Sequence, residues 1–234
     1  MTYNIHTGKG MDNLFSLQRI VDDIRRGEAQ LAGLQEVDRH TTRNPLDEPA
    51  RLEELSGYNV VFSKNLDFQG GEYGIAVMSR YPIIEEKRFH YDIIEGREPR
   101  GALAVKVKPP HMSRPLWFVT THLGTGKTGR EQTSQVKQLL AWIQKFDPEG
   151  ILILSGDFNQ EPDSPAIKLI GEQFVDVWSE GGDGDGFTFN AREPERRIDY
   201  LFVEKEHLSG VLRAYVLETI ASDHRPLAAT IVFE

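Results

Sequence analysis

Residues 154–165 read LSGDFNQEPDSP and follow the apolar run Ile151-Leu152-Ile153. Such a run, closed by a glycine, reads as a buried strand. Asp157 and Asn159 stand at its end, and residues two apart along a strand point the same way. A carboxylate and a carboxamide are therefore aimed at one spot on the rim of a core. One reading is an Asx turn ahead of Pro162; the other is a site.

Working outward, the same strand-then-polar pattern recurs. Further strands are expected at Gln30–Gln35, Tyr58–Phe62, Tyr73–Ser79, Ile83–His90, Gly101–Val107, Leu116–Thr121, Arg197–Val203, Val211–Glu218 and Leu227–Phe233. Leu14, Leu17, Ile20, Val21 and Ile24 predict an amphipathic helix over 13–26, stopped by Gly27. Val136, Leu139, Leu140 and Ile143 predict another over 130–146. A brief helix is expected around Arg51–Leu55, and Ser164-Pro165 opens a third full one running to Ile170. Many strands, few helices and short connections predict a sheet-rich α/β or α+β architecture, with residues 1–234 as one domain.

Composition narrows the chemistry. At 39% hydrophobic and 27% charged, the chain has ordinary globular proportions. Its 27 Lys+Arg against 36 Asp+Glu give −9, which argues against a surface that coats nucleic acid. With no cysteine, disulfides, thiolate metal ligands and thiol nucleophiles are excluded. No apolar stretch approaches the ~18 residues of a membrane span, and no signal peptide is visible. A cytoplasmic monomer is the expectation; the strand-like start at Met1-Thr2-Tyr3-Asn4-Ile5 leaves a secreted or periplasmic origin open.

Strand after strand carries groups suited to metal or phosphate chemistry: Asn4, Glu36, His122 and the Asp157/Asn159 pair at strand ends, Asp199 inside an otherwise buried strand, and Asp223-His224 before the last strand. Singly, each has a bland reading: Glu36 as a turn cap, His122 as a core histidine, Asp223-His224 as a loop pair before Pro226. Together, at strand ends where sites are usually built, they favour a hard cation held by oxygen ligands beside an activated water. Two decoys fail. Gly126-Lys127-Thr128 lacks the first glycine of a P-loop, because residue 121 is Thr121. Gly182-Asp183-Gly184-Asp185-Gly186 has Phe187 where a calcium loop needs its third ligand.

The stretches MTYNIH at the start, LQEVD at 34–38, GEYGIAVMSRYPI at 71–83, TTHLG at 120–124, SGDFNQEPDSP at 155–165, RRIDYLFV at 196–203 and SDHRPLAATI at 222–231 resemble the endonuclease/exonuclease/phosphatase superfamily. That superfamily includes deoxyribonuclease I, abasic-site endonucleases, bacterial sphingomyelinases and inositol-polyphosphate 5-phosphatases. The resemblance implies a four-layer sandwich, two mixed β-sheets face to face with helices on both outer faces. It implies that Glu36, with Asn4 and Asp223 close by, holds Mg²⁺ or Mn²⁺, with Ca²⁺ as a further candidate. Asp157 would orient or deprotonate the attacking water, Asn159 would contact phosphate, and His224 would contact the scissile phosphate with Asp199 orienting it. His122 would be a second histidine, supported by Glu72, and Arg100 would hold a phosphate oxygen. The implied activity is metal-dependent phosphodiester hydrolysis; the alternatives are a phosphomonoesterase acting on a small molecule or lipid headgroup, and a non-catalytic binding module. Nucleic acid, nucleotide and lipid headgroup all stay open as substrates, and no residue of the implied set is missing.

Overall fold

The structure is a computed structural model and describes residues 1–146 and 150–233. The apolar runs form twelve strands: β1 (Thr2–Asn4), β2 (Leu31–Arg39), β3 (Asn59–Phe68), β4 (Gly71–Ser79), β5 (Ile83–His90), β6 (Gly101–Val107), β7 (Leu116–His122), β8 (Ile151–Asp157), β9 (Phe174–Asp176), β10 (Asp199–Glu204), β11 (Leu208–Val216) and β12 (Leu227–Phe233). Helices are α1 (Leu17–Arg26), α2 (Glu48–Ser56), α3 (Arg130–Ile143), α4 (Pro165–Ile170) and α5 (Val177–Gly181). The strands make two six-stranded sheets, ordered β11-β12-β1-β2-β4-β3 and β5-β6-β7-β8-β10-β9. Both are mixed: β1 with β2 and β7 with β8 run parallel, and their other neighbours pair antiparallel.

Period-two alternation distributes the apolar residues over three layers. Ile75 and Val77 of β4 face Leu103, Val105, Phe118 and Leu201 across the gap between the sheets. Their neighbours Ala76 and Met78 turn outward, onto Ile20, Val21 and Ile24 of α1 and Leu52 of α2. On the other outer face Trp117, Val119 and Leu154 meet Val136, Leu139 and Ile143 of α3 and Ile167 and Ile170 of α4. The result is the expected helix–sheet–sheet–helix sandwich. No helix among the described residues is long and apolar enough to cross a membrane.

Two boundaries differ from expectation in ways that matter. Helix α1 starts at Leu17, not at residue 13, because Ser16 caps it by accepting a hydrogen bond from the Arg19 amide. Leu14 therefore leaves the apolar face and is exposed. Strand β2 does not end at Glu36. It runs on to Arg39 through a bulge between Gln35 and Val37, with Glu36 the extra residue at φ 58°. A bulge re-aims the side chain it inserts, and a non-glycine residue at positive φ costs ~1–3 kcal/mol that its surroundings must supply. The short β9 and α5 had no counterpart in the sequence pattern.

Candidate active site

The register of the second sheet builds half of the site. Strand β8 ends on Asp157, which pairs with His122 of β7 on one side and Asp199 of β10 on the other. Gly156 makes the approach of β7 and β8 feasible: its φ is 154°, and a Cβ there would lie 2.3 Å from the Thr121 carbonyl oxygen. The first sheet supplies the other half. Asn4 closes β1 beside Gln35 of β2, and the bulge places Glu36 next to it. The turn before β12 is tied to β1 by Ser222, whose hydroxyl donates to the Asn4 carbonyl at 2.7 Å and accepts from the His224 amide at 3.2 Å.

These strand ends converge. Asn4 Nδ2 donates to Glu36 Oε1 at 3.0 Å and to Asp157 Oδ2 at 3.1 Å, so one carboxamide bridges a carboxylate from each sheet. His224 Nδ1 stands 2.8 Å from Asp199 Oδ2, and its Nε2 lies 3.7 Å from Asp157 Oδ2. His122 Nε2 approaches the same oxygen at 3.5 Å. Asp157, Asp199 and His224 also bring one potential ligand atom each within 4.8 Å of one another. Because Asp199 engages His224 Nδ1, these three groups are already joined to one another by the imidazole.

Electrostatics separates the two histidines. Burial alone would lower the His224 pKa, but the charges of Asp199 and Asp157 and the hydrogen bond to Asp199 outweigh it and raise it to about 10. His224 is a cation at neutral pH. Burial, then the neighbouring Arg100 and His224, push His122 well below the ordinary histidine range, so it is neutral. Burial, then the charge of Asp199, raise the Asp157 carboxyl to about 7, against the opposing pull of His224.

Other expected residues land differently. Asn159 lies past the end of β8 at φ 50°, so strand alternation no longer aligns it with Asp157. Its amide donates to Asp157 Oδ1 at 2.9 Å, which is the Asx turn, and its Nδ2 donates to the Leu123 carbonyl at 3.1 Å. Glu72 does not support His122. It pairs with Arg39 at 3.1 Å, directly across β4–β2. Arg100 is buried rather than open to a phosphate, with Nη1 at 2.8 Å from His122 Nδ1 and 2.9 Å from Glu98 Oε1. Asp223 lies half-buried at the rim, its Oδ1 3.7 Å from His6 Nδ1.

His6 and Tyr73 are the neighbours that the sequence reading missed. His6, at φ 45°, lies two residues past the end of β1 and gives its amide to Asn4 Oδ1 at 3.1 Å. Tyr73 is buried within the fields of Glu36 and Arg100 and hydrogen-bonds to Arg100. Both lie inside quoted motifs, MTYNIH and GEYG, so position beside Asn4 and Glu72 was the available signal.

Comparison with known proteins bears on the fold and the family. YbhP of Escherichia coli K12 is 28% identical over 246 residues, covering 99% of this chain and 94% of its own. An endonuclease/exonuclease/phosphatase structure from Beutenbergia cavernae superimposes with TM-score 0.81 at 25% identity, covering 99% of this chain and 70% of that one. The mannosyl-6-phosphatase Bt3783 of Bacteroides thetaiotaomicron shares the fold with TM-score 0.81 at 20% identity, over 99% of this chain and 98% of its own. The model of the Endonuclease/Exonuclease/phosphatase family matches residues 1–224. With that match spanning nearly the whole chain, this protein belongs to the endonuclease/exonuclease/phosphatase family.

Proposed function

We propose that this chain hydrolyses a phosphodiester with the aid of a hard divalent cation, Mg²⁺ or Mn²⁺. The observation that carries the reading is His224 held between Asp199 and Asp157, a buried imidazolium facing a buried base. The residues fit such a cation. Glu36, Asp157, Asp199 and Asp223 gather at one edge, linked through the Asn4 carboxamide and His224, and the oxygens of Glu36, Asp223 and Asn4 are hard donors. Glu36 would be the main ligand, with Asp223 and the Asn4 carboxamide beside it. When bound, the cation supplies neutralisation of phosphoryl charge and of the leaving oxygen.

The chain's own residues do the rest. Asp157, its carboxyl raised to about 7, takes the proton of the attacking water. Asn4 fixes it relative to Glu36. His224 donates from Nε2 to a phosphoryl oxygen as charge develops there, and Asp199 keeps it oriented and protonated. His122 donates from the other side. A phosphomonoester substrate is the second reading, favoured by the shared fold of the Bacteroides phosphatase. The test is a panel of phosphodiesters and phosphomonoesters assayed with Mg²⁺, Mn²⁺ and Ca²⁺. Preference for diesters, abolished by EDTA and restored by Mg²⁺ or Mn²⁺, is expected; full activity in chelator overturns the proposal.

A further inference from the structure

The two imidazoles that face Asp157 are backed by opposite charges. Behind His224 Nδ1 stands the carboxylate of Asp199 at 2.8 Å; behind His122 Nδ1 stands the guanidinium of Arg100, also at 2.8 Å. Both members of the second pair are buried, Arg100 at 6% exposure and His122 at 2%. A guanidinium has donors only and keeps its proton at any accessible pH. His122 Nδ1 must therefore be the acceptor, which leaves the ring hydrogen on Nε2. That nitrogen lies 3.5 Å from Asp157 Oδ2, on the reacting side.

We propose that Arg100 is a positioning residue: it fixes His122 as the neutral Nε2–H tautomer, a permanent hydrogen-bond donor to the substrate's phosphoryl oxygen that cannot deliver a proton as an imidazolium. This rests on reading the edge as a phosphoester-hydrolysing site. The surroundings suit it. Arg100 from the segment before β6 and His224 from the turn before β12 are the cations facing His122, and Asp157 of β8 is the carboxylate. A second ring proton on Nδ1 would point straight at the guanidinium. Glu98 and the Tyr73 hydroxyl hold that guanidinium in turn. One fold edge thus carries two histidines with divided labour, a charged one backed by an anion and a neutral one backed by a cation.

Two measurements test this. The first is a long-range ¹H–¹⁵N spectrum of the metal-free protein at neutral pH, with His122→Gln identifying the resonances. A single Nε2–H tautomer is expected in the wild type, and mixed tautomers or an imidazolium in Arg100→Met. An Nδ1–H tautomer or a doubly protonated ring in the wild type overturns the proposal. The second is a double-mutant cycle on a small phosphate ester. Arg100→Met should lower kcat on the order of 10-fold, the usual cost of losing the partner behind a functional histidine, with KM little changed. In the His122→Gln background the same change should cost almost nothing, because a glutamine presents its N–H with no tautomer to fix. Equal losses in both backgrounds, or a raised KM in both, would make Arg100 a phosphate clamp and overturn the proposal. The spectroscopic arm needs no turnover, so failure of the phosphoesterase reading and failure of this one are distinguishable.

Discussion

Where the second sheet meets the active edge, His122, Asp157 and Asp199, with the adjoining His224, are each at most 5% exposed and joined to one another or to Arg100. Where the first sheet meets it, Glu36, His6 and Asp223 are half-buried, while Asn4 is enclosed and His224, from the turn before β12, reaches across to the buried group. The buried half has its charges balanced by internal partners, as a preorganised hydrogen-bonding and acid–base apparatus requires. The half-exposed half carries acidic oxygens with open access to solvent. That is what a site needs if an ion and its waters are to enter and leave. In the proposed mechanism the difference separates residues that perform the reaction from residues that admit what it needs.

Substitutions should break the buried half hardest. Asp157→Asn removes the proposed base and should lower kcat on the order of 10³-fold. His224→Ala should cost at least ~10²-fold, because it deletes a donor whose bond strengthens in the transition state. Both are read from steady-state kinetics at saturating metal. A variant that changes only KM would show that the group binds substrate without serving the chemical step.

Glu36→Gln probes the open half and should behave differently. Its signature is a higher metal concentration for half-maximal rate, by roughly 10- to 100-fold, with part of the rate recovered at high Mg²⁺ or Mn²⁺. Titrating metal into wild type and variant checks this. An unchanged metal dependence would move the ion away from the first sheet.

A smaller effect should appear in the pH profile. The proposed mechanism needs Asp157 ionised and His224 protonated, so the rate should rise with pH through about 7 and fall through about 10. Asp199→Asn removes the nearest charge that raises His224, so the alkaline limb should move toward neutral pH by a unit or more. The sign for stability matches. The folded-state pKa of His224 exceeds the unfolded value, so its contribution is complete below ~6.5 and is lost as pH rises through about 10. An acidic limb that moves while the alkaline limb stays put would contradict the charge assignment.

The buried half was also the legible half. Asp157 closes an apolar run, Asp199 opens one and His224 stands just before another, so local pattern located them, and the layering followed from runs that had to be covered. Glu36 was legible as a residue but not in its geometry, since the bulge that aims it depends on pairing with β4. Glu72 was misplaced by a single step of alternation. It faces Arg39 across the ladder, while its neighbour Tyr73 turns toward Arg100. The Arg100–His122 pair joins positions 22 residues apart, and only burial shows that the guanidinium is spent on the imidazole.

That spending of cations bears on what the open half admits. Arg100 is enclosed behind His122, and Arg197, two residues before Asp199, pairs with Asp176 at 2.6 Å while stacking over Tyr200. Arg225 gives its Nε to the Ala191 carbonyl. Lys127, on the loop after His122, and Arg130, at the start of α3, are exposed, on a chain of net charge −9. Gripping a long duplex requires neutralising several phosphates, and affinity then falls with a slope of roughly −0.9 per contact on a log–log salt plot. Two exposed cations match one or two phosphates of a small or single-ended substrate. KM for a short diester should therefore change only a few-fold between about 50 mM and about 200 mM salt. Running the same series on plasmid DNA sharpens the contrast: efficient nicking with a slope of several units would show a duplex-binding surface, and would leave the chemistry of the buried half as described.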